Sequence, residues 1–173
     1  MCASYYYHTE GFPQYYDFVG GSFDVFFDLF HKGEGEYGDY FQHLLSYIRE
    51  KGRENILFLT YEEIKEDVES VIKKVVEFLG GEFLLNYNKE GVLEKVLANS
   101  SISTMRKVIN EVVSCYRSPG STDFVRKGVI GDYKNLLSDE QERKLSEKFR
   151  KACEGTEAME IWRKYNFLPP EST

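Results

Sequence analysis

The chain has 173 residues, of which 42% are hydrophobic and 16% aromatic, so it can bury the core of one domain or of a large part of one. Its net charge of −7 and its isoelectric point near 5.1 argue against a broad basic face for nucleic acid or for an anionic membrane. Three well-separated cysteines without CxxC spacing indicate neither a disulfide framework nor a zinc site. Without a long apolar stretch or a secretory signal pattern, the predicted location is the cytoplasm.

In chain order, the apolar residues predict elements of two kinds. The run MCASYYY is compatible with a short strand, and SFDVFFDLF (Ser22 to Phe30) predicts a short aromatic helix. Apolar residues between Tyr37 and Ile48 recur at helical spacing and predict an amphipathic helix. NILFLT, Asn55 to Thr60, is a short apolar run bounded by charge, which predicts a strand buried on both faces of a parallel sheet.

Helices dominate the rest of the prediction. Between Ile64 and Leu79 apolar residues recur every three or four positions, and a Gly-Gly pair then gives a stop signal. Val92 to Leu97 predicts another helix, and the last helix follows Ser138, which forms a capping-box pattern with Gln141. The one or two predicted strands form too small a sheet to bury the apolar faces of the predicted helices. The sequence therefore predicts the helix-rich part of a larger α/β domain.

The segment DFVRKGVIGDYKNLLSDEQ, Asp123 to Gln141, concentrates two cations and two glycines just before this last helix. An Arg-Lys-Gly run is usually a solvated turn. It can also hold an anion, because Arg126 offers a planar fork, Lys127 adds charge and Gly128 lets the main chain come close. The segment alone leaves both interpretations open. The phosphate loop G-x-x-x-x-G-K-[ST] has no match in the chain.

Four segments together resemble the cytosolic sulfotransferase family. FVRKGVIGDYKN is similar to its C-terminal signature RKGxxGDWKN, with Tyr133 in place of the tryptophan. ILFLTYEEIKEDVESVIKKVVEFLG resembles the family's strand, YEDMKED-like turn and following helix. CASYYY resembles a CVSYYHF-like segment, and KGEGEYGDYFQH a GxxxYGSWxxH-like loop. These segments cover nearly the whole chain in the family's order.

The resemblance implies a fold and a reaction. The fold is the C-terminal part of a P-loop-type three-layer α/β/α domain with a parallel sheet, and residues 1–173 form one partial domain. The reaction transfers a sulfuryl group from 3′-phosphoadenosine 5′-phosphosulfate to a phenol, alcohol or amine, without a metal. The aromatic residues of Tyr5 to Tyr7 and of Phe23 to Phe30 are core residues by default, and in the family these regions line or cover the pocket for the small-molecule acceptor.

The resemblance also implies a binding site for the 3′-phosphate of the donor. Arg126, Lys127 and Gly128 hold this phosphate together with the hydroxyl of Ser4. Each charge-assisted hydrogen bond contributes about 1.5 to 3 kcal/mol. Tyr61 lies against the adenine or forms a hydrogen bond with it.

A second implied segment lines the base. SSISTM, Ser100 to Met105, stands where the family has a TSFxxM-like run. Here Ser100 replaces a threonine and Ile102 replaces a phenylalanine, so the aromatic stacking partner of the adenine is lost. The complete set of implied donor-binding residues is Ser4, Tyr61, Ser100, Ile102, Met105, Phe124, Arg126, Lys127 and Gly128.

Two parts of the family pattern are not matched. Residue 1 is expected to fall inside the family's domain, after its loop lysine and its histidine base. None of His8, His31 and His43 stands at the catalytic position, and we predict no catalytic residue. The family's dimer motif KxxxTVxxxE retains only its lysine, so we do not carry a homodimer over; the matching positions are Lys134, Ser138, Asp139 and Arg143.

Two hypotheses about function remain open from the sequence. The first is the donor-binding C-terminal part of a sulfotransferase. The second is a non-catalytic, truncated sulfotransferase-like module that binds nucleotide or another protein. Neither hypothesis includes nucleic acid or a membrane as a partner.

Overall fold

The computed structural model describes residues 1–165, and the regular elements of this part of the chain are helices. The α-helices are α1 (Cys2–Gly11), α2 (Pro13–Tyr16), α3 (Phe23–Lys32), α4 (Tyr40–Arg49), α5 (Tyr61–Glu66), α6 (Val68–Leu79), α7 (Gly81–Tyr87), α8 (Val92–Asn99), α9 (Ile102–Val113), α10 (Asp139–Cys153) and α11 (Ala158–Ile161). Short 3₁₀ helices cover Ser114–Tyr116, Asp132–Asn135 and Arg163–Tyr165. Within residues 1–165, no helix combines the length and the apolar character needed to cross a bilayer.

Side-chain caps explain several helix boundaries. The predicted capping box of α10 is confirmed: the Ser138 hydroxyl accepts a hydrogen bond from the Gln141 backbone, and the Gln141 side chain accepts one from the Ser138 backbone. Thr60 forms the same box with Glu63 at the start of α5. Asp67 interrupts the predicted helix from Ile64 to Leu79, because it ends α5 and its side chain caps α6 through the Ser70 N–H.

Both predicted strands are wrong for the described part of the chain. MCASYYY belongs to α1. The buried residues Cys2 and Thr9 and the packed pair Tyr5 and Tyr6 recur at spacings of three and four, which is the period of a helix. Asn55 to Thr60 forms no strand, since a strand requires a hydrogen-bonded neighbour and residues 1–165 provide none. The parallel sheet is therefore not seen in this part of the chain.

Two apolar clusters form the core. The first brings α1 and α3 together around Cys2, Phe26, Phe27 and Phe30. The second joins α4, α10 and α11, and its buried residues are Leu44, Ile48, Cys153 and Ala158. Tyr40 packs against both clusters, so the two parts of the core are continuous.

The helices α6 to α9 pack on their neighbours in the chain and bury little. Val71 is the buried apolar residue of this group among the described residues, at 6% exposure. Large apolar side chains of the same helices are exposed, among them Phe78, Leu79, Phe83, Leu85, Val108 and Val112. The well-packed half of the described chain is thus built from α1 to α4, α10 and α11.

The three cysteines are free thiols in different environments. Cys2 and Cys153 are buried, whereas Cys115, in the 3₁₀ turn after α9, is exposed. Burial raises the pKa of the Cys2 thiol to about 12 and also raises that of Cys153.

Candidate anion-binding site

The loop between α9 and α10 brings two cations to one carboxylate. Arg126 donates through Nη2 to Oδ2 of Asp132, and the Lys127 Nζ lies 3.0 Å from Oδ1 of the same side chain. The Asn135 amide donates to this Oδ1 at 2.9 Å. The Lys127 hydrogen bond is the main cause of the lowered pKa of Asp132, and Asn135 and Arg126 act in the same direction. The loop therefore already holds one anionic group.

Arg126 is fixed from two further sides. Its guanidinium carbon lies over the ring of Tyr7, 3.7 Å from the ring centroid. Its backbone carbonyl accepts hydrogen bonds from Arg106 on α9, at 2.9 Å from Nε and 2.6 Å from Nη2. The side chain of Arg126 is 20% exposed. A preorganised fork of this kind loses less entropy on binding an anion than a free one.

Gly128 stands at a close approach between the loop and α9. Its φ of +66° is in the left-handed region, which a residue with a Cβ adopts at a cost. A Cβ built at this position would lie 2.9 Å from Cδ1 of Ile102 and 3.5 Å from the Lys65 Nζ. The structure therefore brings the predicted site residues Ile102 and Gly128 together and adds Lys65, a further cation, beside them.

Two other predicted residues lie near this loop. Tyr61 is 48% exposed at the start of α5. Burial raises the pKa of its phenol, as do the charges of Glu62 and Asp132, and the nearby Arg126 opposes them. Ser4 is exposed on α1, three residues before Tyr7 and hence on the same face of the helix. Ser4 thus lies on the side of α1 that carries Tyr7, the residue whose ring meets Arg126.

The remaining predicted residues are placed differently. The Ser100 hydroxyl donates to the Val96 carbonyl at 2.7 Å, so it satisfies the end of α8. Met105 is partly buried on α9, one turn after Ile102. Phe124 packs on α1 and the residue after it, with its ring centroid 6.0 Å from those of both His8 and Phe12. The structure does not bring Ser100 or Phe124 to the two cations.

Sequence reasoning missed several residues of this site, and three of them, Asp132, Arg106 and Tyr7, contact Arg126. Asp132 follows Arg126 by six positions, and its acidic side chain in a cationic loop was the available signal. Arg106 stands four residues after Ile102, a helical spacing that places both on one side of α9. Tyr7 had no local signal. Among residues 1–165, no three His, Cys, Asp or Glu side chains are placed to hold a metal ion.

A cavity of about 400 Å³ lies on another side of α1. Tyr5 and Thr9 of α1 line it together with residues of α2, α3 and the turn after α3. Its aromatic wall includes Tyr16, whose hydroxyl lies 3.0 Å from Nδ1 of His8 and 3.3 Å from the hydroxyl of Tyr37. Helix α1 thus takes part in both the cation site and an aromatic cavity.

His8 belongs to the packing around this cavity. Its ring lies against Phe12, with centroids 4.9 Å apart, and burial followed by the charge of Arg117 lowers its pKa. The imidazole is therefore neutral at pH 7, since the ordinary pKa of histidine is already about 6.5.

A sequence model of the sulfotransferase domain matches residues 1–160, and the chain belongs to the sulfotransferase family. The class predicted from the four sequence segments is thereby confirmed. Among curated proteins, the chain is 33% identical over 160 residues to Sulfotransferase 1C2 of Oryctolagus cuniculus, covering 89% of this chain and 51% of that protein. It is 32% identical over 161 residues to Sulfotransferase 2B1 of Rattus norvegicus, covering 90% and 45%. The chain thus spans about half the length of these relatives.

The fold is also similar to that of a solved member of the family. The crystal structure of mouse sulfotransferase SULT7A1 complexed with PAP aligns with a TM-score of 0.72 and 26% sequence identity. The alignment covers 95% of this chain and 57% of that one. This similarity supports the predicted α/β class, although the parallel sheet itself is not found in residues 1–165.

Proposed function

We propose that this chain carries the 3′-phosphate and adenine site of a sulfotransferase that uses 3′-phosphoadenosine 5′-phosphosulfate. One observation supports this most directly: Arg126 and Lys127 converge on a single carboxylate in a loop where Gly128 adopts a left-handed conformation. A carboxylate and a phosphate oxygen accept the same charge-assisted hydrogen bonds. The 3′-phosphate takes the place of Asp132 on the two cations.

The residues present fit the donor nucleotide in a defined way. Arg126 binds the phosphate through its fork and Lys127 adds charge, while the Ser4 hydroxyl donates from α1. Tyr61 contacts the adenine, and Ile102 and Met105 line it from α9. Ser100 and Phe124 need a change of rotamer to take part, because one is bonded to Val96 and the other is packed on His8.

The proposed reaction is sulfuryl transfer to a hydroxyl or amine of a small acceptor. The acceptor oxygen or nitrogen forms a bond to sulfur, and the bond between sulfur and the 5′-phosphate oxygen breaks. The acceptor proton passes to a base, and 3′-phosphoadenosine 5′-phosphate (PAP) leaves with the electron pair of the broken bond. The positive charge around Arg126 contributes to binding of the donor and of this product. We assign no base among the described residues.

The experiment is a comparison of PAP with AMP by titration calorimetry on the full chain. Only PAP has the 3′-phosphate, so we expect at least about tenfold tighter binding of PAP. Arg126→Ala weakens PAP binding by about ten- to a hundredfold and leaves AMP unchanged. Arg143→Ala is the control, since Arg143 is exposed on α10 and pairs with Glu147. Equal affinities for the two nucleotides would contradict the proposal.

The non-catalytic alternative is separated by a second measurement. Transfer of radiolabelled sulfuryl groups to a panel of phenols and amines tests the activity. A chain that prefers PAP to AMP and labels no acceptor is the nucleotide-binding module. The exposed apolar side chains of α6 to α9 favour a protein partner in that case.

A further inference from the structure

The loop between α9 and α10 runs back along α1, so that residues later in the loop contact residues earlier in the helix. In loop order, the contacts are the Ser118 N–H with the Gly11 carbonyl at 3.1 Å, the Phe124 ring with the His8 ring at 6.0 Å between centroids, and the Arg126 guanidinium with the Tyr7 ring at 3.7 Å. Ser4 lies one helical turn before Tyr7. The loop thus carries Arg126 toward the part of α1 that holds Ser4.

Arg117 holds the start of this loop against α1. Its guanidinium carbon lies 4.9 Å from the ring centroid of Phe12, the residue after α1, and 6.0 Å from that of Phe124. Its Nη2 donates to the Thr122 carbonyl, so the side chain also ties the loop to itself. The guanidinium lies so close to α1 that a Cβ built on Gly11 would be 2.2 Å from this Nη2.

The contacts of Arg117 are aromatic and backbone contacts. Among residues 1–165, no carboxylate lies within ion-pair distance of its guanidinium. Its Nη1 is buried without a hydrogen-bond partner in the same part of the chain. The rings and the Thr122 carbonyl therefore hold this side chain. The contact with Phe12 is the closer of the two ring contacts, and it does not depend on the rotamer of Phe124.

The loop is longer than the distance that it covers on α1. Tyr7 and Gly11 are about one helical turn apart, which is about 6 Å along the axis. The segment from Arg117 to Arg126 could extend to about 30 Å. Its contacts with α1 therefore determine where Arg126 lies. Without the Arg117 contacts the segment has more conformations, and these must be given up when an anion binds.

We propose that Arg117 is a positioning residue for the donor nucleotide: by holding the loop on α1, it places Arg126 where its fork receives the 3′-phosphate. The inference rests on the proposed function, because it concerns the same phosphate. Arg117 does not touch the phosphate and acts through Arg126. Helix α9 also holds the loop, since the Asn110 side chain accepts a hydrogen bond from the Val125 N–H at 2.8 Å. Loss of Arg117 therefore weakens binding in part.

The first test removes the cation. PAP and AMP are titrated by calorimetry into the full chain and into Arg117→Met, which keeps the length and the apolar stem of the side chain. We expect PAP affinity to fall about three- to tenfold and AMP affinity to stay unchanged. Arg117→Lys keeps a cation over the rings and loses less. Arg143→Met is the control, because it makes the same charge change at an exposed residue of α10 and leaves both affinities unchanged.

The second test moves the cation and keeps its charge. Gly11→Ala puts a Cβ where the end of the Arg117 side chain lies, and the guanidinium must shift. We expect a fall in PAP affinity of about two- to tenfold at an almost unchanged melting temperature, because the helix propensity of alanine offsets the lost contacts. Gly52→Ala is the matched control: Gly52 also lacks a positive φ, and no heavy atom lies within 4 Å of its built Cβ.

A double-mutant cycle separates positioning from a general effect on the fold. In the Arg126→Ala background, Arg117→Met should cause no further loss of PAP affinity, since Arg117 acts through Arg126. The same loss in both backgrounds, or an unchanged preference for PAP in Arg117→Met and Gly11→Ala, would overturn this inference alone. Equal affinities of the parent chain for PAP and AMP would contradict the proposed function, and this inference with it.

Discussion

The guanidinium of Arg126 rests on the ring of Tyr7, with its central carbon 3.7 Å from the ring centroid. This contact joins the loop before α10 to the first helix of the chain. It fixes the plane of the guanidinium, and the same plane determines where a bound phosphate must lie. A phenol ring with no charge of its own thus takes part in positioning the proposed phosphate ligand.

Substitution of Tyr7 is expected to weaken PAP binding through Arg126 alone. Tyr7→Leu removes the aromatic face, and we expect about a three- to tenfold loss of PAP affinity, in line with the usual strength of cation–π contacts. Tyr7→Phe keeps the face and retains most of the affinity. Calorimetry on both variants measures this. A Leu variant that binds PAP as tightly as the parent chain would show that the stacking has no role in binding.

The close approach at Gly128 predicts a two-part effect of adding a methyl group. Gly128→Ala is expected to destabilise the fold by about 1 to 2 kcal/mol from the left-handed backbone, and further through the contact with Ile102. Gly131→Ala is a matched control, because Gly131 has φ +81° but no heavy atom within 4 Å of an added Cβ. Urea unfolding measures both. Equal losses of unfolding free energy in the two variants would mean that the Ile102 side chain moves aside without cost.

Asp132 predicts a dependence of stability on pH. The pKa of Asp132 is lowered from the ordinary 3.8. The interactions of the ionised carboxylate therefore make their full contribution to the stability of the fold at pH values above 3.8. This contribution is lost as the pH falls through the still lower folded pKa. The difference in unfolding free energy between the parent chain and Asp132→Asn should therefore be constant from pH 7 to 5 and shrink below about pH 4. A difference that grows on acidification would contradict this assignment.

The capping box before Tyr61 predicts a stability change next to the proposed adenine site. The Thr60 hydroxyl accepts from the Glu63 N–H at 3.1 Å and donates to the Glu63 carboxylate at 3.0 Å. Thr60→Ala removes both bonds, and we expect a loss of about 1 to 2 kcal/mol in thermal or urea unfolding. Thr60→Ser keeps the hydroxyl and loses less. Similar losses in both variants would point to the methyl group as the main contributor.

Helices could be predicted from the sequence where their signals are local. The pattern of Ser138 and Gln141 placed the start of α10 correctly, and the phenylalanines between Ser22 and Phe30 predicted α3. The prediction missed the break at Asp67, because apolar spacing continued across it while the side-chain cap divided the helix. Periodicity reports which face is buried, and it does not report where hydrogen bonding stops.

The strands and the contacts of the site could not be predicted in the same way, because they depend on residues that are distant in sequence. The apolar residues of Asn55 to Thr60 favour a strand, but pairing is a property of two segments, and residues 1–165 do not supply the second. In the same way, Arg126 and Lys127 were visible as a local pair. Their contact with Tyr7 could not be predicted, because nothing near either position specifies which distant element will meet it.

The different burial of the three cysteines makes the natural sequence suitable for site-selective labelling. A maleimide dye reacts with an accessible thiolate, and Cys2 and Cys153 are protected by burial and by their raised pKa. The fluorophore would be carried by Cys115, whose neighbour Tyr116 accepts a hydrogen bond from Gln14 on the wall of the aromatic cavity. We expect emission from that position to report changes at this wall of the cavity, without any substitution in the chain.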